Sequence, residues 1–592
     1  MDPKSWLPTS AKEMKALGWN QADVILFTGD AYIDHPAFGA AVIGRLLESK
    51  GLKVAIVPQP NWQDDLRDFK KLGKPRLFFG VSGGAMDPMI NHYTANKRLR
   101  SNDAYTPGGQ AGKRPDYATS IYAGILKKLY PDVPVVIGGI EASLRRLTHY
   151  DYWKDQLMPS VLEWSGADLL VYGMGEQAIL EVVENLNEGI PIHEMRSIPQ
   201  TAFMTKNTKD LPDNVAEKEL YSHEECLQSK VSFAKNFKVI ETESNTIESR
   251  RLVQKTGERF VVVNPPYLPM NEHEIDRSFD LPYTRLPHPR YKNKAPIPAY
   301  EMIKFSVNIH RGCFGGCSFC TISAHQGKMI ASRSQKSVLK EIDQIVDRED
   351  FKGYITDLGG PSANMYGMKG IDFEMCRTCR RPSCIFPSVC ENLDTSHKEM
   401  NDLYLKVRQN KKIKKVTIGS GIRYDLFQKE YNKKAGKEEQ KYVENLVKHH
   451  VSGRLKVAPE HTSPNVLRLM RKPPFELFRS FKKQFDSINK KEGLNQQLIP
   501  YFISAHPEST ISQMRELNKE TKELGFNLEQ VQLFTPSPMT LATVMYYTGL
   551  NPYTMKPVKN AKNKHERQKQ HEQFFHASPQ VKQSNKFKKS KK

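Results

Sequence analysis

Asn308-Ile309-His310-Arg311-Gly312-Cys313-Phe314-Gly315-Gly316-Cys317-Ser318-Phe319-Cys320 is the stretch that decides how this chain is read. Its cysteines stand in the spacing Cys-x3-Cys-x2-Cys. An apolar run, Ile303 to Ile309, leads into them and reads as a strand. Glycines at 312, 315 and 316 let the backbone fold tightly around a compact object. Three thiolates on one short loop can hold three irons of a 4Fe–4S cluster, which leaves the fourth iron without a protein ligand. A structural zinc site is the competing reading. Zinc usually closes with four ligands, and His310 could supply the last.

Working outward from this loop, the chain past Ile303 alternates strands and helices. Expected strands are Ile303–Ile309, Gly353–Leu358, Lys415–Gly419, Arg454–Ala458, Gln497–Ser504 and Gln530–Phe534. Ser337–Arg348 carries Val338, Leu339, Ile342, Ile345 and Val346 at helical spacing, and helices fill the other gaps. Six βα repeats make a partial barrel, whose chemistry gathers at the carboxyl ends of its strands. Gly359-Gly360-Pro361 follows the second strand, Ser420-Gly421-Ile422-Arg423 the third, and Pro459-Glu460-His461 the fourth. Arg423 could pair with a carboxylate of a ligand, or form a structural ion pair with Asp425 or Glu460.

Upstream, Asp23–Asp30 reads as a buried strand ending at Gly29. A helix with Phe38, Val42, Leu46 and Leu47 on one face follows, and then a second strand, Lys53–Pro58. This βαβ unit, with further strands at Arg76–Gly80, Val133–Gly138 and Ala167–Tyr172, predicts a Rossmann-like, doubly wound domain over 1–204. Prolines crowd 265–298, so 205–299 is expected to be a connector, with strands at Phe237–Glu241 and Arg259–Val263. The fold class is therefore α/β: a Rossmann-like domain, then a partial (βα)6 barrel over 300–555. The glycine-rich loops Ser82–Met86 and Pro107–Gly112 match neither the P-loop nor the dinucleotide fingerprint.

Seven of the eight cysteines lie between 313 and 390, which suits metal or cluster ligation and not a disulfide framework. Cys226 stands alone and is expected to be a free thiol near the surface. Cys376, Cys379, Cys384 and Cys390 form a second group, an insertion after the second barrel strand. Four thiolates within fifteen residues can close around zinc or around an auxiliary Fe–S cluster, and both readings stay open.

Of the net charge of +22, the stretch 556–592 supplies +10. It holds few apolar residues, so a disordered basic tail is expected there, either a solvated extension or a contact to RNA phosphates. No apolar run approaches the roughly 20 residues needed to cross a bilayer. The first residues lack the apolar stretch of a secretion signal, so a cytoplasmic protein is expected.

The cysteine loop, the stretches 357–366, 419–425, 458–473 and 530–552, and Gly29–Pro36 closely resemble the YgiQ family of radical S-adenosylmethionine (SAM) proteins. The resemblance runs from about residue 20 to about residue 555. It implies a 4Fe–4S cluster on Cys313, Cys317 and Cys320, with SAM chelated at the open iron. Reductive cleavage of SAM to a 5′-deoxyadenosyl radical would then serve hydrogen abstraction, or methyl or methylthio transfer, on an unknown substrate. Gly359 and Gly360 resemble the stretch that receives the SAM amino group, with Pro361 in place of the family's acid. Glu460 matches the acid that meets the ribose, and Ser420 and Arg423 fall in the same SAM site. An electron donor such as flavodoxin or ferredoxin is implied. The N-terminal domain is similar to cobalamin-binding domains fused ahead of such barrels. Here Asp34-His35-Pro36-Ala37-Phe38-Gly39 departs from Asp-x-His-x-x-Gly, so both bound cobalamin and a domain that has lost its cofactor stay open. The rival from another class is a nucleic-acid-binding metalloprotein with structural zinc and a basic tail.

Overall fold

Alternate residues of the first strand, β1 (Val24–Thr28), enter two different cores: Val24 and Leu26 pack on one side, Ile25 and Phe27 on the other. β2 (Val54–Pro58), β3 (Phe78–Ser82), β4 (Val135–Gly138) and β5 (Leu169–Val171) divide in the same way. A sheet buried on both faces follows, with all five strands parallel. The computed structural model describes residues 5–526, 528 and 530–574. Its largest sheet has nine strands.

Four of those strands lie beyond β5: β6 (Thr201–Thr205), β7 (Glu217–Leu220), β8 (Arg251–Thr256) and β9 (Arg259–Val263). The order is β2-β1-β3-β4-β5-β6-β9-β8-β7. The expected boundary at 204 therefore does not end this sheet, because β7, β8 and β9 extend it through antiparallel pairing and one parallel edge. The expected strand Phe237–Glu241 is helical, inside Lys230–Ser244. Phe233, Phe237 and Ile240 face inward at helical spacing, and that periodicity overrides the β-branched residues. Cys226 is buried, where Asn236 Nδ2 donates to its sulfur at 3.2 Å.

The proline-rich stretch beyond Asn264 clasps the two halves together. Asp34 N donates to Leu286 O at 3.0 Å, and Arg285 N to Asp34 O at 2.8 Å. The Arg285 side chain bridges His35, at 2.8 Å, and Glu341 of the helix Gln335–Val346 in the second half. His35 is thus fully engaged in the clasp, with Ala37 N donating to its Nδ1 at 3.1 Å.

Among the described residues the barrel wall of the second half has six strand positions in chain order, beside a small hairpin of His310–Arg311 and Ala331–Ser332. The six are β10 (Ser306–Asn308), β11 and β12 (Tyr354–Ile355 and Asp357–Gly359, one strand broken at Thr356), β13 (Lys415–Val416), β14 (Arg454–Glu460), β15 (Gln497–Ser504) and β16 (Val531–Leu533). Parallel pairs β10·β12, β11·β13, β14·β15 and β15·β16, with a bridge Ile422–Val457, link them into an open barrel wall. The first strand is shorter than the apolar run suggested, because Pro298 at the first helical position starts a helix through Ile303. One core, including Val307, Leu358, Val416, Leu455 and Phe502, fills the interior between strands and helices.

Residues 556–574 are ordered, contrary to the expected disorder. The helix Lys564–Glu572 docks on the barrel through polar groups. Gln570 is fully buried between Ala505 N, 3.1 Å, and Ser509 O, 2.8 Å, and Arg567 donates to Phe534 O. Composition missed this because only a few apolar residues, Val558, Ala561 and Phe574, are buried, and hydrogen bonds supply much of the rest. Residues 575–592 of the expected tail lie outside the described residues. No helix among the described residues is long and apolar enough to cross a membrane.

Candidate functional site

The Cys313–Cys320 loop leaves β10 and turns back at its glycines. Gly312 sits at φ +86, and a Cβ there would lie 2.0 Å from Met329 O. A Cβ on Gly315 would come within 3.0 Å of Arg423 Nη1 and 3.3 Å of Cys313 Sγ. Only glycine therefore lets the loop close over the sulfurs. The loop is tethered from both sides: Ser318 N donates to Met470 O at 3.1 Å, and Ala542 N to Ser318 O at 2.8 Å. Ser318 Oγ also meets His506 Nε2 at 3.2 Å.

Burial pushes the Cys313 thiol up to about 11 and the Cys320 thiol up to about 12. Arg423 and Lys472 act against this at Cys313, whereas Glu460 adds to it at Cys320. Arg423 is held by Asp425, with Nε to Oδ1 at 2.9 Å and Nη2 to Oδ2 at 2.5 Å. Its Nη1 reaches Cys317 Sγ at 3.5 Å. Of the alternatives for Arg423, the Asp425 ion pair is the one formed, and the remaining donor faces the thiols.

Gly359 and Gly360 lie at and just past the end of β12. A Cβ on Gly360 would strike the His310 ring at 2.5 Å. Ser420 is tied to Asp357, whose Oδ1 also accepts from Gly419 N at 2.8 Å, so this serine braces the ends of β12 and β13. Glu460 ends β14 with φ +70, a left-handed conformation uncommon for a side-chain-bearing residue. The residue is 8% exposed, and its carboxylate has no hydrogen bond or ion pair among the described residues. Burial raises it above the usual carboxylate range, and Lys472 and Arg423 oppose that. Lys472 is likewise 6% exposed with no side-chain partner among the described residues. Sequence reading passed over Lys472. The visible signal was an Arg471-Lys472 pair before Pro473 and Pro474, at the end of the helix that follows the Glu460 strand end.

A cavity of about 550 Å³ lies where the two halves meet. Its floor is the carboxyl ends of β1, β3, β4 and β5, and its roof includes His310, Arg311, Thr321, His325 and Gly360. Such crevices beyond strand ends are where open α/β sheets take ligands. The walls are mostly apolar. His310 is 1% exposed, and neither of its ring nitrogens has a partner. Burial drops its pKa to about 3, so the ring is neutral. The halves also touch through Ser143, whose hydroxyl meets Gly173 N at 3.0 Å and His325 Nδ1 at 3.1 Å. Neither Asp34 nor His35 lines the cavity.

The second cysteine group lies on the loop after β12. Cys379 N donates to Cys376 O at 3.3 Å and Cys390 N to Cys384 O at 2.7 Å. Among the described residues no three or more His, Cys, Asp or Glu side chains converge on a single-ion position.

A family model described as radical SAM N-terminal matches residues 6–306, and one described as a domain of unknown function matches residues 529–581. A UPF0313 protein from Porphyromonas gingivalis is 61% identical over 571 residues, which is 96% of this chain and 90% of that protein. One from Bacteroides thetaiotaomicron is 58% identical, covering 97% of this chain and 94% of that protein. Among solved structures, the radical SAM methyltransferase TsrM from Kitasatospora setae, with cobalamin and a [4Fe-4S] cluster bound, overlays with a TM-score of 0.47 at 14% identity. That overlay covers 88% of this chain and 74% of TsrM. The cobalamin-dependent enzyme OxsB also gives 0.47, at 11% identity over 86% of this chain and 53% of its own.

Proposed function

This chain belongs to the UPF0313 family and is a radical SAM enzyme, and we propose that its substrate enters the cavity between the N-terminal sheet and the barrel. In this reading Cys313, Cys317 and Cys320 hold the 4Fe–4S cluster. The donor set fits: three thiols lie on a glycine-lined loop, with a guanidinium aimed at one sulfur. Once loaded, the cluster supplies the electron that cleaves SAM.

What supports SAM binding beside that loop is the pair Glu460 and Lys472, 8% and 6% exposed, whose charged ends meet no partner among the described residues. Two such groups are costly unless a ligand completes them. Lys472 suits the carboxylate of SAM and Glu460 its ribose hydroxyls, while the backbone at Gly359 and Gly360 suits the amino group. Arg423 keeps its place through Asp425 and offsets thiolate charge. Ser420 acts through Asp357 to fix the strand ends. His310 borders the cavity with both ring nitrogens buried against Gly360 and unpartnered, and the mostly apolar walls would limit water there.

A second reading, cobalamin in the same cavity, is favoured by the cavity's position at the sheet's carboxyl ends, next to His310, Arg311 and Thr321, which flank the cysteines. Cobalamin would then bind without a histidine ligand from Asp34-His35, because His35 is committed to Arg285. Retention of cobalt through desalting after incubation with hydroxocobalamin supports this reading, and loss of all cobalt rejects it.

The enzyme reading is tested by SAM cleavage. Reconstituted anaerobically with iron and sulfide and reduced with dithionite, the protein is expected to release 5′-deoxyadenosine. Protein loaded with about four irons or more that leaves SAM intact would refute it.

A further inference from the structure

We infer that Cys376, Cys379, Cys384 and Cys390 hold a second iron–sulfur cluster that relays electrons to the one on the Cys313–Cys320 loop. The inference rests on the reading that the three-cysteine loop carries the SAM-cleaving cluster. Its ground is where the second loop is built.

The two cysteine loops meet backbone to backbone. Cys384 N donates to Phe314 O at 3.1 Å, and the buried Ser383 Oγ donates to Phe314 O and Gly315 O at 3.2 and 2.9 Å. Gly316 turns at φ +59, and a Cβ there would lie 2.4 Å from Pro382 O. Cys313 of one loop and Cys384 and Cys390 of the other pack on a single apolar cluster formed by Phe314, Met365, Met368, Ile385, Leu393 and Leu426. A zinc staple would serve a long loop at any position along it. This loop is instead seated on the cluster loop, between it and solvent. Its outer side, the helix Phe373–Arg377 that carries Cys376, exposes Phe373 and Met375.

The surroundings also suit a group that gains negative charge. Lys328 is 2% exposed, and its ammonium donates to Arg381 O, inside the four-cysteine loop, at 2.9 Å. Asn392 Nδ2 donates to Cys376 Sγ at 3.3 Å. Local positive charge and hydrogen bonds to sulfur favour the reduced state of a cluster.

The step is a one-electron transfer with no bond made or broken. A low-potential one-electron donor protein of the flavodoxin or ferredoxin class is oxidised as the four-cysteine cluster is reduced. That cluster is reoxidised as the three-cysteine cluster takes the same electron.

The test uses the full chain, reconstituted anaerobically. Wild type is expected to hold about eight irons. The triple variant Cys313→Ala, Cys317→Ala, Cys320→Ala keeps about four, with a paramagnetic signal on reduction. The quadruple variant Cys376→Ala, Cys379→Ala, Cys384→Ala, Cys390→Ala loses that signal and is no longer reduced by flavodoxin, although dithionite still supports SAM cleavage. A triple variant holding zinc and no iron overturns the inference, and so does wild type that cleaves SAM with about four irons and one zinc. The last result leaves the enzyme reading intact. Eight irons without SAM cleavage would instead break that reading and the relay that rests on it, while the second cluster itself would stand.

Discussion

The two cysteine loops share a boundary but are built for different ends. The first offers three thiols at the barrel's open end, with Glu460 and Lys472 beside them lacking any partner among the described residues. The second offers four thiols on an insertion where Arg377 pairs with Glu248 and Glu374, and Lys328 is tied to a backbone carbonyl of the loop itself. Three ligands and unpaired charges leave room for a small molecule, whereas four ligands close a site. The difference teaches that ligand number alone does not separate a reactive loop from a closed one. The free charges around it do.

The largest effect should separate the loops outright. Cys317→Ala is expected to abolish SAM cleavage, while Cys384→Ala retains cleavage when dithionite is the reductant. Quantifying 5′-deoxyadenosine checks this, and equal loss in both variants would erase the distinction. A smaller effect is expected from the free charges. Glu460→Gln and Lys472→Ala should each weaken SAM binding by about tenfold or more at unchanged iron content, as read by equilibrium dialysis. Binding at wild-type strength would take both residues out of the site.

The smallest effect concerns acid. Burial lowers His310 and His461 to about 3 and His506 to about 4, all on the side of the first loop. A histidine whose folded pKa is depressed favours the neutral form. Its stability contribution is complete above the ordinary value of 6.5 and is lost as pH falls from there toward 3 to 4. The melting temperature should therefore fall between pH 7 and pH 5. His461→Asn should narrow that fall if the variant folds, and a melting temperature that is flat over this range would contradict the assignment.

Much of this was legible in local sequence. Gln497–Ser504 forms the expected strand, residue for residue. The apolar runs of β1 and β2 announce a sheet buried on both faces. What escaped depends on distance along the chain or on polar packing. Arg285 meets His35 across 250 positions, which no periodicity reveals. β7 and β8 lie at the sheet's far edge and carry half-polar sequences such as Glu217–Leu220 and Arg251–Thr256 that give weak strand signals. Gln570 docks a helix with amide hydrogen bonds where composition pointed to disorder. The second cysteine group was visible as a spacing, but its seat on Phe314 and Gly315 was not.

The most direct test is the electron paramagnetic resonance of the reduced, reconstituted protein with and without SAM. A signal that shifts when SAM is added and disappears in Cys317→Ala is expected, while any signal that survives in that variant ignores SAM. A spectrum with no SAM-sensitive component, or one whose SAM-sensitive component persists in Cys317→Ala, would contradict this expectation.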